Sequence, residues 1–242
     1  MEQNAIISSE NMYTYLTLNI LTILFPFLFS FERRVCFRKH WRNLFLAIFI
    51  SGILFLVWDS WFVSLGIWGF NHKYLLGLYL FNIPLEEVLF FVVTPYACVF
   101  IYEVMKYFLP SLKPNKLIDC FSILLGFGFL LVAIMNRGRL YTFTTFLCSA
   151  ILLFVNVCII KPKYLNYFYI AYFISIIPKW FINGILTGGV ESVDNNPIVW
   201  YNNFENLGIR MGTIPLEDFC YSFLLLLLNI NLYEYFKERG NK

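Results

Sequence analysis

Seven apolar runs dominate this chain, at about residues 12–31, 44–63, 83–105, 118–135, 141–160, 165–187 and 214–236. Each is close to the ~20 residues a helix needs to cross a hydrocarbon core ~30 Å thick. Backbone inside a bilayer must satisfy its own hydrogen bonds, which leaves helices as the fold for runs of this length. The runs therefore predict an all-α integral membrane protein with seven transmembrane helices. Composition agrees: 60% of the 242 residues are hydrophobic and 14% charged, against ~45–50% and ~25% in soluble domains. A soluble enzyme, a DNA-binding module and a disordered tail are excluded, and a net charge of +3 gives no reason to expect nucleic acid. The first run follows an acidic N-terminus and ends in Glu32-Arg33-Arg34, without a basic leader or a small-residue cleavage site, so it reads as a span and not as a signal peptide.

Lys and Arg set the expected orientation. Thirteen of them (Arg33, Arg34, Arg38, Lys39, Arg42, Lys106, Lys113, Lys116, Lys161, Lys163, Lys237, Arg239 and Lys242) fall on one side of a seven-span chain. Four (Lys73, Arg137, Arg139 and Arg210) fall on the other, and Lys179 lies within the sixth run. The positive-inside bias predicts a multi-pass protein of the cytoplasmic membrane, N-terminus outside and C-terminus in the cytoplasm.

The sequence also repeats. At an offset of 131 residues, Ile83-Pro84-Leu85-Glu86-Glu87 faces Ile214-Pro215-Leu216-Glu217-Asp218, Tyr102-Glu103 faces Tyr233-Glu234, and Lys106 faces Lys237. Trp61-Phe62 resembles Trp180-Phe181, and Tyr13-Thr14 resembles Tyr141-Thr142. Runs 1–3 thus match runs 5–7, predicting two parallel three-helix repeats (residues 1–110 and 141–242) joined by a linker helix within 111–140. Parallel repeats usually build a site at their mutual interface. The loop at 188–213 is an insertion relative to the first copy, with a turn expected at 194–197.

Ionisable side chains are costly in a membrane and are functional candidates by default. Glu86 and Glu87 open one run, Glu217 and Asp218 another, each pair just after a proline suited to the first helical turn. Acidic residues there also suit the helix dipole, but the same pair at a fixed repeat offset asks for more than capping. Adjacent helical residues point ~100° apart, so one of each pair should face the repeat interface and the other support it or meet water. Carboxyls crowded at such an interface cannot all ionise, which leaves a neutral acid beside an anion, the pairing acid catalysis uses. Glu86 and Glu217 are preferred as the acid and base because that position is Glu in both copies, with Glu87 and Asp218 stabilising or orienting a cation. Aromatic residues cluster nearby: Trp58, Trp61, Trp68 and Phe70 in one copy, Trp180, Trp200 and Tyr201 in the other. Aromatic faces stabilise cations. Asp59 is expected either to hydrogen-bond the site or to reach water, and Glu205 and Arg210 either to form a lid salt bridge or to be solvated. Glu103 and Glu234 are expected to form i,i+3 ion pairs with Lys106 and Lys237 at the far edge.

Six scattered cysteines without a C-x-x-C spacing and only two histidines (His40, His72) give no metal site, and Gly126-Phe127-Gly128 lacks the third glycine and the strand of a dinucleotide fingerprint. No cofactor and no metal are expected.

With these motifs in view the chain resembles the membrane lycopene cyclases of the heterodimeric type, in their fused two-repeat form. The resemblance covers about residues 12–236. It rests on Trp68-Gly69-Phe70-Asn71 with Tyr74 and Gly77, on Pro84-Leu85-Glu86-Glu87, and on Glu205-Asn206-Leu207-Gly208-Ile209-Arg210 leading into Pro215-Leu216-Glu217-Asp218. It implies an isomerase (an intramolecular lyase) of carotenoid biosynthesis that closes the ψ ends of lycopene into β-ionone rings, giving γ-carotene and then β-carotene. It implies lycopene as a partner drawn from the membrane, association with other carotenoid enzymes, and Trp61, Trp68, Phe70, Asn71, Trp180, Glu205 and Arg210 as substrate-binding candidates. A different class, a small-solute transporter, shares the three-plus-one-plus-three plan. Against it, the chain contains no Pro-Gln dipeptide and its acidic groups avoid the midplane.

Overall fold

The structure is a computed structural model describing residues 12–188 and 196–240; Asp194 and Asn195 of the expected turn lie outside them. Among the described residues there are seven α-helices: α1 (Thr14–Phe29), α2 (Trp41–Ser64), α3 (Leu85–Phe108), α4 (Lys116–Met135), α5 (Leu140–Phe154), α6 (Leu165–Gly188) and α7 (Leu216–Gly240). The chain is an all-α membrane protein. Six of the helices, α5 counted with the π-helical segment Val155–Ile160 that prolongs it, are long and apolar enough to cross a bilayer. The exception, α1, has 16 residues, roughly 24 Å at 1.5 Å per residue. It stops where Ser30 turns its hydroxyl back to the Pro26 carbonyl (2.6 Å) and meets the Tyr96 hydroxyl (2.6 Å).

α3 and α7 form the centre. α1 and α2 pack on α3, α5 packs on α7, and the two halves interlock as α2 crosses to α7 and α6 crosses to α3. α4 lies outermost against α5: 17% of its apolar window is inside the protein, against 67% for α7. A helix that is apolar all round yet little buried has lipid as its natural second surface.

The offset of 131 seen in the sequence recurs in the contacts. The Leu76 N–H donates to Glu86 Oε1 (2.6 Å), and the Leu207 N–H to Glu217 Oε1 (2.7 Å). Short hairpins precede α3 and α7 in matching register: β2 (Tyr79–Leu80) with β3 (Ile83–Pro84), and β5 (Arg210–Met211) with β6 (Ile214–Pro215). Gly77 and Gly208 enter them with φ of 76° and 69°, a region glycine occupies without a Cβ penalty.

The halves also pair directly. β1 (Trp68–Phe70) runs antiparallel to β4 (Val199–Tyr201), with Gly69 opposite Trp200 at the centre. The Asn71 N–H donates to the Ile198 carbonyl and the Asn202 N–H to the Ile67 carbonyl, both at 2.8 Å. Since 69 and 200 differ by 131, this crossing lies on the local two-fold relating the copies. A Cβ on Gly69 would come within 2.4 Å of the Trp200 ring, so the close approach requires glycine there.

At the opposite end the halves exchange ion pairs. Lys106 binds Glu234 (2.7 Å) and Lys237 binds Glu103 (2.7 Å), while Tyr102 donates to Glu234 (2.5 Å) and Tyr233 to Glu103 (2.9 Å). The i,i+3 pair between Lys106 and Glu103 is present but longer, at 3.6 Å.

Candidate active site

Proline before a helix fixes the extended entry that the first turn needs, and Pro84 takes it with φ −66° and ψ 150°. The two acidic residues that follow then diverge as helical geometry demands. Glu86, fully buried, accepts the Leu76 N–H and ties the β2–β3 hairpin to α3. Glu217 does the same in the other copy through Leu207, and its Oε1 also accepts the Thr142 hydroxyl (2.6 Å). Glu87 and Asp218 point instead into a chamber between the halves.

That chamber is lined by carboxyls and by tyrosines that donate to them. Tyr15 of α1 donates to Glu87 Oε2. Tyr141 of α5 donates to Asp218 Oδ1 (2.6 Å), and Tyr201 of β4 to Asp218 Oδ2 (2.8 Å). Asp59 of α2, only 2% exposed, is a third carboxyl in the lining and accepts the Tyr221 hydroxyl of α7 (2.6 Å). Burial and the neighbouring Asp218 carboxylate hold the Tyr201 phenol well above its usual range, so it remains a donor at any ordinary pH. A buried carboxyl needs such partners, since an isolated charge in a dry interior costs far more than one hydrogen bond returns.

The β1–β4 ladder roofs the chamber with Trp68, Phe70 and Tyr201. The Trp68 and Tyr141 rings meet edge to face at 4.9 Å, and Tyr141 stacks on Tyr201 at 6.0 Å. Lys179 of α6 closes the floor, donating to the Asp218 carbonyl (2.5 Å) and to the Ser222 hydroxyl. Three carboxyls held by tyrosine donors under π-faces can pass a proton in and out and hold a positive charge between them.

Of the residues singled out in the sequence, Asp59, Glu87, Asp218, Lys179, Trp68, Phe70 and Tyr201 line this space. The others lie outside its lining. Asn71 caps a short 3₁₀ turn by accepting the Lys73 N–H (3.2 Å). Trp61 and Trp180 face outward, 49% and 45% exposed, where an interfacial tryptophan belt would lie. Glu205 accepts the Leu140 N–H at the start of α5 (2.8 Å), whereas Arg210 binds the Thr213 carbonyl (2.6 Å) and Asn203 (2.8 Å); no lid salt bridge joins them among the described residues. Tyr15 and Tyr221 escaped the sequence reading, as did the bonds of Tyr141 and Tyr201 to Asp218. Tyr221 alone carries a spacing signal, standing three residues after Asp218 on one helical face. Tyr15, two places beyond the Tyr13 that resembles Tyr141, is the residue that bonds its copy's second carboxyl. No three His, Cys, Asp or Glu side chains among the described residues are grouped so as to hold a metal ion.

Comparison with known proteins bears on this site directly. The sequence is 29% identical over 97 residues to a bifunctional lycopene cyclase/phytoene synthase of Aspergillus oryzae, covering 40% of this chain and 16% of that protein. It is 35% identical over 83 residues to another protein of that name from Leptosphaeria maculans, covering 31% and 14%. The matches thus span about a sixth of these much longer relatives. No solved structure matches. The sequence model of the lycopene cyclase family matches residues 12–105 and 138–236, leaving out all of α4 and taking in every carboxyl and tyrosine of the chamber; the chain belongs to the lycopene cyclase family.

Proposed function

We propose that this chain cyclises the open ψ ends of lycopene to β rings by acid catalysis, with γ-carotene the first product and β-carotene the second. The observation that carries the reading is a chamber shared by two halves, in which Asp59, Glu87 and Asp218 stand among tyrosines under an aromatic roof. A neutral carboxyl donates its proton to the terminal double bond, leaving a tertiary cation. The neighbouring double bond attacks it, closing the ring and moving the charge to a ring carbon. A carboxylate then removes a ring proton and restores a double bond. One proton enters, one leaves, and no electrons are exchanged, so the step is an isomerisation and needs no redox partner.

The chamber geometry favours Glu87 and Asp218 as the proton-transfer groups. Asp59 adds negative charge beside the cation, and the faces of Trp68, Tyr141 and Tyr201 surround it. Glu86 and Glu217, which the repeat pattern alone would prefer, become positioning groups that hold the hairpins to the helix starts. The two three-helix repeats, 1–110 and 141–242, then own the site jointly, with 111–140 as linker. The distribution of Lys and Arg supports a cytoplasmic membrane location with the chamber at the outer face.

Co-expression with enzymes that make lycopene tests the reading. The native chain should give cyclic product, seen by chromatography of the cell extract. Glu87→Gln and Asp218→Asn should each lower turnover by roughly 10²–10⁴. Glu86→Gln keeps an oxygen for the Leu76 N–H, so its loss should stay near the ~1 kcal/mol of a neutral hydrogen bond, roughly fivefold. Lycopene left unchanged by membranes that contain the native protein would sink the activity. Equal losses at Glu86 and Glu87 would sink the division of labour.

A further inference from the structure

The chamber has an apolar neighbour across its Lys179 floor. Beneath it a second, apolar cavity runs between α1, α3 and α6. Phe90, Lys179, Asn183 and Ser222 line both spaces, so the two adjoin, with Lys179 between them. On α3 the lining runs from Phe90 to Ile101, eleven residues or roughly 16 Å. Its wall is open to the side, because α1 and α6 scarcely touch.

Two-fold related halves should offer two such grooves. The second place, between α5, α7 and α2, is filled: Phe55, Trp58 and Tyr221 pack there with rings 5.0–5.7 Å apart, beside Cys148 and Leu152. The sequence gives the cause. At the offset of 131, the groove residues Thr94 and Ala97 correspond to Leu225 and Leu228, so the second copy fills with leucine what the first leaves vacant.

We propose that the groove between α1, α3 and α6 is the binding site for the long apolar tail of the polyene, that the tail enters sideways from the membrane between α1 and α6, and that Ala97 is the small residue that keeps it open. The inference rests on the cyclase reading, since the tail is that of the molecule whose end reacts in the chamber. The groove's length accommodates about half of a C40 chain, itself about as long as the ~30 Å core is thick. Substrate end and tail are thereby held by opposite kinds of surface, polar above Lys179 and apolar below it.

The test transplants the second copy's residue into the first: Ala97→Leu, with Ala97→Phe as the stronger block. Each is assayed in membranes on lycopene and on a short acyclic polyene with the same end group, no longer than the span from Glu87 to Ala97 (ten residues, roughly 15 Å). Expected is a fall of roughly tenfold or more in kcat/KM for lycopene, carried by a rise in KM and larger for Phe than for Leu. The short polyene should be turned over as by the native chain, which also reports that the variant is folded. Unchanged lycopene kinetics in both variants would overturn the proposal and leave the groove to a lipid acyl chain. Equal losses on both substrates would overturn it too, by placing the damage in the chamber. A native protein inactive on both substrates would instead overturn the cyclase reading.

Discussion

Glu86 and Glu87 are neighbours in sequence and belong to different environments, one bound to a hairpin amide and the other aimed into the chamber. Their identity as a pair was legible, because two carboxyls after a proline occur twice at one offset. Their division of labour was not, because it depends on which way α3 is rotated, and that is set by packing. The bonds of the tyrosines to the carboxyls were hidden for a related reason: Tyr15, Tyr141, Tyr201 and Tyr221 come from four elements and share no spacing. They yield a residue-scale prediction. Tyr15→Phe and Tyr141→Phe keep the ring but remove a hydrogen bond to a carboxyl, worth roughly 1.5–3 kcal/mol where the acceptor is charged. Turnover should fall by roughly tenfold to a hundredfold with protein abundance unchanged. Added to Glu87→Gln, Tyr15→Phe should cost little more, because both act on one interaction. Kinetics of the four proteins in a double-mutant cycle measure this.

The helices were the most legible elements, since a run of about 20 apolar residues admits hardly any other structure in a bilayer. Observed ends lie within a few residues of those expected, and what the run at 141–160 does not show is that its last six residues are π-helical, where Asn156 turns its amide back to the Leu152 carbonyl (2.8 Å). The strands were not legible, because two or three residues show no alternation. They are defined by pairing with residues far away, as Gly69 is with Trp200. The reciprocal ion pairs at the far end were half legible: the i,i+3 partners were visible, but the shorter contacts reach across the halves. Removing Glu234 leaves the Lys106 ammonium and the Tyr102 hydroxyl without it. Glu234→Gln should therefore lower stability in detergent by about 1–3 kcal/mol. Lys106→Met should then add less than it costs alone. Thermal unfolding of the singles and the double checks both.

At the scale of the whole molecule, one chamber at one end leads to a kinetic expectation. With one polyene end reacting per binding event, the monocyclic product should appear early and accumulate when lycopene is in excess; bicyclic product from the first time point, with no monocyclic species, would contradict a single site. A reporter fused after Lys242 should be active only if it works in the cytoplasm, which checks the orientation proposed from Lys and Arg. The β1–β4 crossing has one more consequence, for the order in which the molecule can be made. Trp68 leaves a ribosome 131 residues before Val199, its two-fold counterpart, an interval of roughly 7–26 s at ~5–20 residues per second. For that interval the nascent first half holds a strand without its mate and an acid, Asp59, whose tyrosine partner Tyr221 is still unmade. Such an edge invites pairing with a wrong neighbour. Keeping β1 to three residues, centred on a glycine against which the Trp200 ring packs closely, limits what a stray strand could find there while the second half is still being translated.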